Sequence, residues 1–326
     1  MKKISLLETQ KAIKFIKDFF QNSFSKELVL HRVSAPIIVA SGTGINDNLA
    51  GWEHSLGFSS KHSGVSAEVI HSLAKWKRWS IERYEIPMHE GIYADMNALR
   101  IDETLDEIHS IYVDQWDWEL RIQPTERTLD FLKSVVNRIY TIIRKVQLAT
   151  IKKYGDDKDW QLPKKITFVT TQELLDMYPN LDTKERENAI AKKHGAVFLI
   201  GIGHLLSNGK PHDVRSPDYD DWNLNGDILV YNPKTDKALE LSSMGIRVDA
   251  ASMRKQLKLA NAEDRKELMF HKMLLSNKLP QTIGGGIGQS RLCYFFLQKQ
   301  HIGEIQSSVW TDEINAECKK KKITLL

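Results

Sequence analysis

The sequence predicts an α+β fold, a mainly antiparallel sheet flanked by helices, and three observations carry that prediction. Short runs rich in β-formers alternate with helices announced by capping boxes. The run Ala196-Val197-Phe198-Leu199-Ile200-Gly201-Ile202-Gly203 is almost wholly apolar, as a strand covered on both faces should be. Two further strands, Gly226 to Tyr231 and Ala238 to Val248, are joined by the turn-rich Asn232-Pro233-Lys234-Thr235-Asp236-Lys237, short enough to close an antiparallel hairpin. No internal repeat, low-complexity linker or compositional break divides the chain, so residues 1–326 are expected to form one domain.

From the N-terminus, Ser5 and Glu8 form a capping box, and Ala12, Phe15, Ile16, Phe19 and Phe20 recur at helical spacing on a core-facing side. Leu28 to Leu30 and Pro36 to Val39 read as extended, with Pro36 suited to a sheet edge or strand start. β-rich runs follow at Ala67 to Ile70, Ser110 to Glu119 and Ile166 to Thr170. Thr170 with Glu173 and Asp182 with Glu185 then open two helices. The apolar run after them is expected mid-sheet. Past the hairpin, helices are expected at Asp249 to Leu259 and Glu263 to Ser276. A last helix, reached through the glycine run Gly284 to Gly288, should extend to about Gln300.

Composition excludes several classes. Hydrophobic residues are 41% and charged residues 27% of the 326, ordinary for a globular enzyme, and no run approaches the roughly 20 apolar residues of a membrane span. The opening Met1-Lys2-Lys3-Ile4-Ser5 leads into an amphipathic pattern with no apolar signal core, so secretion is not expected. A net charge of +4, with Lys319 to Lys322 as the only dense basic run, gives no electrostatic footprint for nucleic acid. Cys293 and Cys318 are too few for a disulfide framework or a cysteine-ligated zinc, which suits a reducing cytoplasm.

Four patterns carry chemistry. The glycine run matches neither the Walker loop nor Gly-x-Gly-x-x-Gly; it reads as flexible backbone entering a helix that bears Arg291, able to admit a base or phosphate, or simply a helix start packed on the sheet. Asp227 and Glu240 are equidistant from the middle of Pro233-Lys234, so a symmetric hairpin would set them opposite with Cβ atoms ~5 Å apart. Like charges there call for a cation, and Mg²⁺ bound to a triphosphate needs few protein carboxylates; a one-residue slip would leave two solvated acids. In Asp114-Gln115-Trp116-Asp117-Trp118-Glu119, alternation puts Gln115, Asp117 and Glu119 on one face and both tryptophans in the core. With Arg100, that polar row suits a cleft for a charged amino acid, or is merely a solvent face. The acidic stretch Asp213 to Trp222, with Arg215 within it, reads as a loop and also fits a salt-bridged turn. His71, His89, His109 and His204 show no metal-ligand spacing, and there is no Gly-x-Ser-x-Gly nucleophile elbow.

Seven segments in order, Asp47 to Leu49, His71 to Arg78, Ala98 to Arg100, Tyr112 to Glu119, Pro217 to Trp222, Leu239 to Arg247 and Gln281 to Arg291, resemble the ammonia-dependent asparagine synthetase (aspartate:ammonia ligase) family over nearly the whole chain. That family is similar in fold to the catalytic domain of class II aminoacyl-tRNA synthetases. The resemblance implies a single cytoplasmic catalytic domain that adenylates the side-chain carboxylate of L-aspartate with ATP and Mg²⁺, after which ammonia displaces AMP.

It also implies a homodimer, with Pro36 in the interface motif, and no nucleic-acid or membrane partner. Asp47, Arg100 and Gln115 are implied as catalytic, and Ser72, Lys77, Asp117, Arg215, Asp220 and Ser243 as substrate-binding. Ser110, Val113, Leu241, Gly288 and Arg291 join Arg100 around the nucleotide, and Asp227 and Glu240 hold the metal. Ammonia is mostly ammonium near neutral pH, so a carboxylate must take its proton, and Asp47 is the choice. Two rivals share features of this pattern: an aspartyl-tRNA synthetase-like paralogue charging RNA, against which the missing basic appendage counts, and a non-catalytic amino-acid and nucleotide sensor, against which Arg100, Glu240 and Arg291 together count.

Overall fold

Ser5 accepts a hydrogen bond from the Glu8 amide at 3.2 Å and starts α1 (Leu6–Leu28), which ends where Val29 turns left-handed at φ 55°. Leu28, expected to begin an extended run, is thus the last residue of a helix, and β1 (Leu30–Arg32) starts two residues later. The structure, a computed structural model, describes residues 4–49, 51–155 and 160–326, so the two lysines weighed against a signal peptide lie outside it. Next come β2 (Ile38–Ala40), β3 (Gly57–Ser59), β4 (Ser66–Val69) and α2 (Ala74–Arg83). β5 (Gly91–Leu99) and β6 (Tyr112–Arg121) pair antiparallel before the long α3 (Leu129–Tyr154).

β7 (Thr167–Thr170) leads into α4 (Thr171–Met177) and α5 (Thr183–His194), where the expected capping boxes form at Thr170 with Glu173 and at Asp182 with Glu185, whereas at Ser5 only the serine half of the box forms and Glu8 turns to Lys11. β8 (Ala196–Ile200) is buried at every position. β9 (Asp220–Asn232) and β10 (Lys237–Arg247) make the hairpin, longer than expected because Asp220 to Asn225 extend the first strand, the first three of them out of the stretch expected as a loop. α6 (Ala250–Leu259), capped by Asp249, and α7 (Met269–Leu275) follow. The helix expected over Glu263 to Ser276 begins instead as a 3-10 turn over Glu263–Glu267.

β11 (Thr282–Gly288) and α8 (Gln289–Phe296) come from the glycine run, and α9 (Asp312–Lys320) follows with Cys318 buried.

The eight-stranded sheet has the order β1-β5-β6-β11-β10-β9-β8-β7, antiparallel except for the parallel outer pairs β1·β5 and β7·β8; β2, β4 and β3 form a separate three-stranded sheet. The apolar β8 lies second from an edge, not mid-sheet; it is apolar throughout because α4 and α5 cover one of its faces and the main core the other, which needs no central place in the sheet. The middle belongs to β11. Glycine disfavours strands, yet here β11 pairs over its full length with β6 and along most of it with β10, so the run read as flexible backbone is a central strand. On the α1 and α3 side, Trp116 stacks on Phe20 with centroids 4.5 Å apart and Trp118 meets Phe24 edge-on at 5.9 Å, filling the core as their alternation requires. The other face of the central strands is left to α2 and to the polar side chains.

Candidate active site

Register brings the polar side chains together. Asp117 of β6 pairs with Gly286 of β11, Gly286 with Ser243 of β10, and Ser243 with Asp227 of β9, one row across four strands. The next row is Glu119, Gly284, Gly245 and Asn225. Where the rows cross β11, glycine leaves room for long neighbours to lie flat. A Cβ on Gly286 would stand 2.1 Å from Gln115 Oε1, and one on Gly284 the same distance from Glu119 Oε2. The requirement on β11 is therefore close approach by side chains, not backbone flexibility.

Above these rows lies a cavity of about 550 Å³. Its lining includes Asp47, Ser72, Lys77, Arg100, Ser110, Val113, Gln115, Asp117, Arg215, Asp220, Glu240, Leu241, Ser243, Gly288 and Arg291. Of the expected site residues only Asp227 does not line it.

On the α2 side, Lys77 Nζ donates to the Gly285 carbonyl at 3.0 Å and pairs with Asp117, and Asp117 also accepts from the Leu73 amide at 3.4 Å. Burial pulls the Lys77 ammonium below the usual lysine range against the pull of Asp117. Asp47 is oriented by Ser72 Oγ at 3.0 Å and by the Leu49 amide at 2.9 Å, and the buried Asn46 holds the Asp47 and His71 amides. At the cavity floor Arg247 joins Glu119, at 2.8 Å, to Asp220. Burial opposes ionisation of Glu119, but Arg247 holds its carboxyl below the usual range; burial pushes Asp220 up against the same guanidinium.

Asp227 and Glu240 do not face each other. Glu240 pairs with Leu229 and Asp227 with Ser243, because the turn is centred beyond Pro233-Lys234 and a bulge at Leu241 shifts the register. The two acids still share a face, but as diagonal neighbours. Asp227 is held bidentately by Arg215 at 2.8 and 2.9 Å, with Ser243 Oγ on the other guanidinium nitrogen at 2.5 Å. Burial raises the Asp227 carboxyl against the pull of Arg215; burial would raise Glu240 too, but Arg291, Arg215, Lys184 and Arg100 bring it below its ordinary range.

Arg291 reaches Glu240 at 3.7 Å. It lies in the first turn of α8, which is fixed by Asp114 accepting from the Ser290 amide at 3.0 Å and from its hydroxyl at 2.8 Å. Arg100 follows β5, and its buried Nε has no hydrogen-bond partner among the described residues, a donor that an anionic ligand would satisfy.

Sequence reasoning did not single out Arg247, Tyr219 or Lys184, which also line the cavity. Arg247 had a legible signal: it lies two and four residues beyond Gly245 and Ser243, on the face that must meet the Glu119 row.

A family model described as aspartate-ammonia ligase matches residues 7–322. The chain is 61% identical to the aspartate–ammonia ligase of Mycoplasmoides gallisepticum and 59% identical to that of Malacoplasma penetrans, over the full length of all three chains. It is also 53% identical to the enzyme of Fusobacterium nucleatum, over 99% of this chain and 98% of that one. Among solved structures, asparaginyl-tRNA synthetase from Entamoeba histolytica superposes with a TM-score of 0.66 at 14% identity, over 92% of this chain and 67% of its own. The Pyrococcus horikoshii enzyme complexed with asparaginyl-adenylate gives 0.65 at 15% identity, over 92% and 68%. At such identities the likeness is one of fold, that of the class II aminoacyl-tRNA synthetases.

Proposed function

The chain belongs to the aspartate–ammonia ligase family, and from that premise we propose how its residues divide the work. The protein is an ATP-dependent ligase that makes asparagine from aspartate and ammonia. A carboxylate resists nucleophiles because it is already anionic, so in this account ATP first converts the side-chain carboxylate of aspartate into a mixed anhydride with AMP, releasing pyrophosphate. The observation that carries this reading is the grouping of charge in the cavity: Lys77 pairs with Asp117 and Arg247 with Asp220, with Asp47 lining the same space, while Arg100, Arg215, Lys184 and Arg291 act together on Glu240, and Arg215 faces Asp220 as well and so joins the two groups. The first group suits an amino acid bearing both charges, the second a polyphosphate.

Lys77 and Arg247 balance the carboxylates of aspartate, while Asp117 and Asp220 receive its ammonium. Arg100, aided by Arg291, stabilises charge building on the α-phosphate, as preorganised donors do at a transition state. Ser110, Val113, Leu241 and Gly288 line the nucleotide's place. Ammonia then attacks the acyl carbon beside Gln115; Asp47 accepts a proton from ammonium and AMP leaves. Glu240, with Asp227 if Arg215 turns toward the phosphates, would hold Mg²⁺, an ion that takes few carboxylates beside phosphate oxygens. When bound, it neutralises phosphate charge.

The exposed Ile37, Ile38, Phe58 and Val65 on and beside the three-stranded sheet support a homodimer closed near Pro36, and the free cysteines support a cytoplasmic home for residues 1–326 as one catalytic domain. Sedimentation at twice the chain mass is expected; the mass of one chain contradicts the dimer. Aspartate-dependent exchange of pyrophosphate into ATP, without ammonium, tests the chemistry. Wild type should exchange, Asp47→Asn should exchange while making little asparagine, and Glu240→Gln or Asp227→Asn should demand several-fold more Mg²⁺. No exchange by wild type, or an unchanged Mg²⁺ titration in both amide variants, contradicts the corresponding assignment.

A further inference from the structure

Residues 263–275 contribute nothing to the cavity lining, yet they grip both loops that do. Their hold centres on Asp218, which is completely buried. Its Oδ2 faces Lys75 Nζ of α2 at 3.2 Å, Arg265 Nη1 at 3.1 Å and His271 Nε2 of α7 at 3.0 Å, while Ser216 Oγ donates to Oδ1 at 2.8 Å. Asp218 directly precedes Tyr219 and Asp220, and Lys75 lies two residues before Lys77. The same segment holds the Asp47 loop: the Phe270 amide donates to the Thr43 carbonyl at 3.1 Å, and the His271 ring packs so closely on Gly44 that a Cβ there would stand 2.9 Å from its Nδ1. Arg265 Nη2 also lies 3.7 Å from where a Cβ on Gly51 would be.

Packing alone does not call for such a cluster, since apolar residues of similar volume commonly serve stability as well as buried ion pairs or better. What a carboxylate shared by four donors supplies is a fixed distance and angle among the elements that carry them. Burial opposes its charge, but Lys75, His271 and Arg265 hold the Asp218 carboxyl well below its ordinary range. We propose that Asp218, with Lys75, Arg265 and His271, is a positioning clasp: it sets Asp47 and Asp220 relative to Lys77 and so governs aspartate binding and attack by ammonia without touching either substrate. The proposal rests on the division of the cavity argued above.

Asp218→Asn would leave cations unpaired in the interior and is expected to compromise folding, so the test falls on Arg265, the partner nearest solvent with its side chain 15% exposed. In the full-length enzyme, Arg265→Met should raise KM for aspartate about tenfold and lower asparagine formation more than pyrophosphate exchange, because small misplacements of reacting groups are costly. KM for ATP should stay within about twofold, and Arg265→Lys should recover most of the loss. Unchanged aspartate kinetics in Arg265→Met, or equal rises in both KM values, would overturn the clasp. If wild type made no asparagine, the functional reading would fall instead; aspartate binding measured by calorimetry would then decide the clasp, a loss in Arg265→Met restored in Arg265→Lys supporting it and equal affinity refuting it.

Discussion

Replacing Arg100 by lysine is expected to slow adenylation by about 10²- to 10³-fold, the usual loss when one preorganised donor to a developing charge is removed. The change keeps a positive charge and is still not conservative. Guanidinium offers a planar fork to two phosphate oxygens, whereas ammonium is a point charge on a flexible stem. Arg100 Nε is already enclosed without a partner, so an ammonium group cannot reproduce the array of donors that the cavity wall presents. The loss should appear in aspartate-dependent pyrophosphate exchange, before ammonia enters the reaction. Near wild-type exchange in both Arg100→Ala and Arg291→Ala would remove these arginines from the nucleotide site.

The second large effect is expected from a single methyl group. In Gly284→Ala the new Cβ would lie 2.1 Å from Glu119 Oε2, 2.6 Å from Arg247 Nη2 and 2.6 Å from the Trp118 carbonyl. None of these can retreat cheaply. Glu119 and Arg247 are buried and bonded to each other, Thr282 Oγ1 donates to Glu119 at 2.6 Å, and the Trp118 carbonyl belongs to the central sheet. Splitting the pair should cost roughly 3–5 kcal/mol, the range for separating a buried ion pair, and would carry Asp220 with it. Urea unfolding measures the loss. Gly57→Ala, where the nearest atom to a Cβ is the Ala67 carbonyl at 3.8 Å, is the control and should stay within about 0.5 kcal/mol. A Gly284→Ala loss no larger than the control's would show that β11 does not need its glycines for this approach.

These two residues also mark what could be read from sequence. Signals confined to a few neighbours were legible: the Ser5, Thr170 and Asp182 caps, the alternation that sent Trp116 and Trp118 inward, and the hairpin between Asn232 and Lys237. Order along the chain, matched to a known family, collected the residues that line the cavity. What failed depended on pairing partners. The glycines of β11 resemble a loop until β6 and β10 supply side chains that need their space. A turn centred one residue further along than Pro233-Lys234 set Glu240 opposite Leu229 and turned two facing acids into diagonal neighbours, with Arg215 bound to one of them. β5 and α3 were not anticipated, although α3 buries Val135, Val136, Ile139, Tyr140, Ile143 and Val146 at helical spacing. Asp218 and its partners are separated by 53 and 143 residues from His271 and Lys75, so no local pattern could join them.

In this mechanism the side-chain carboxylate of aspartate is activated by AMP. Aspartate labelled with ¹⁸O in that carboxylate, incubated with ATP, Mg²⁺ and ammonium, tests it directly. Attack by ammonia at the acyl carbon leaves the bridging oxygen on phosphorus, so mass spectrometry should find one ¹⁸O in each AMP formed and the other in asparagine. ADP with label in inorganic phosphate, or AMP without label, would contradict the account.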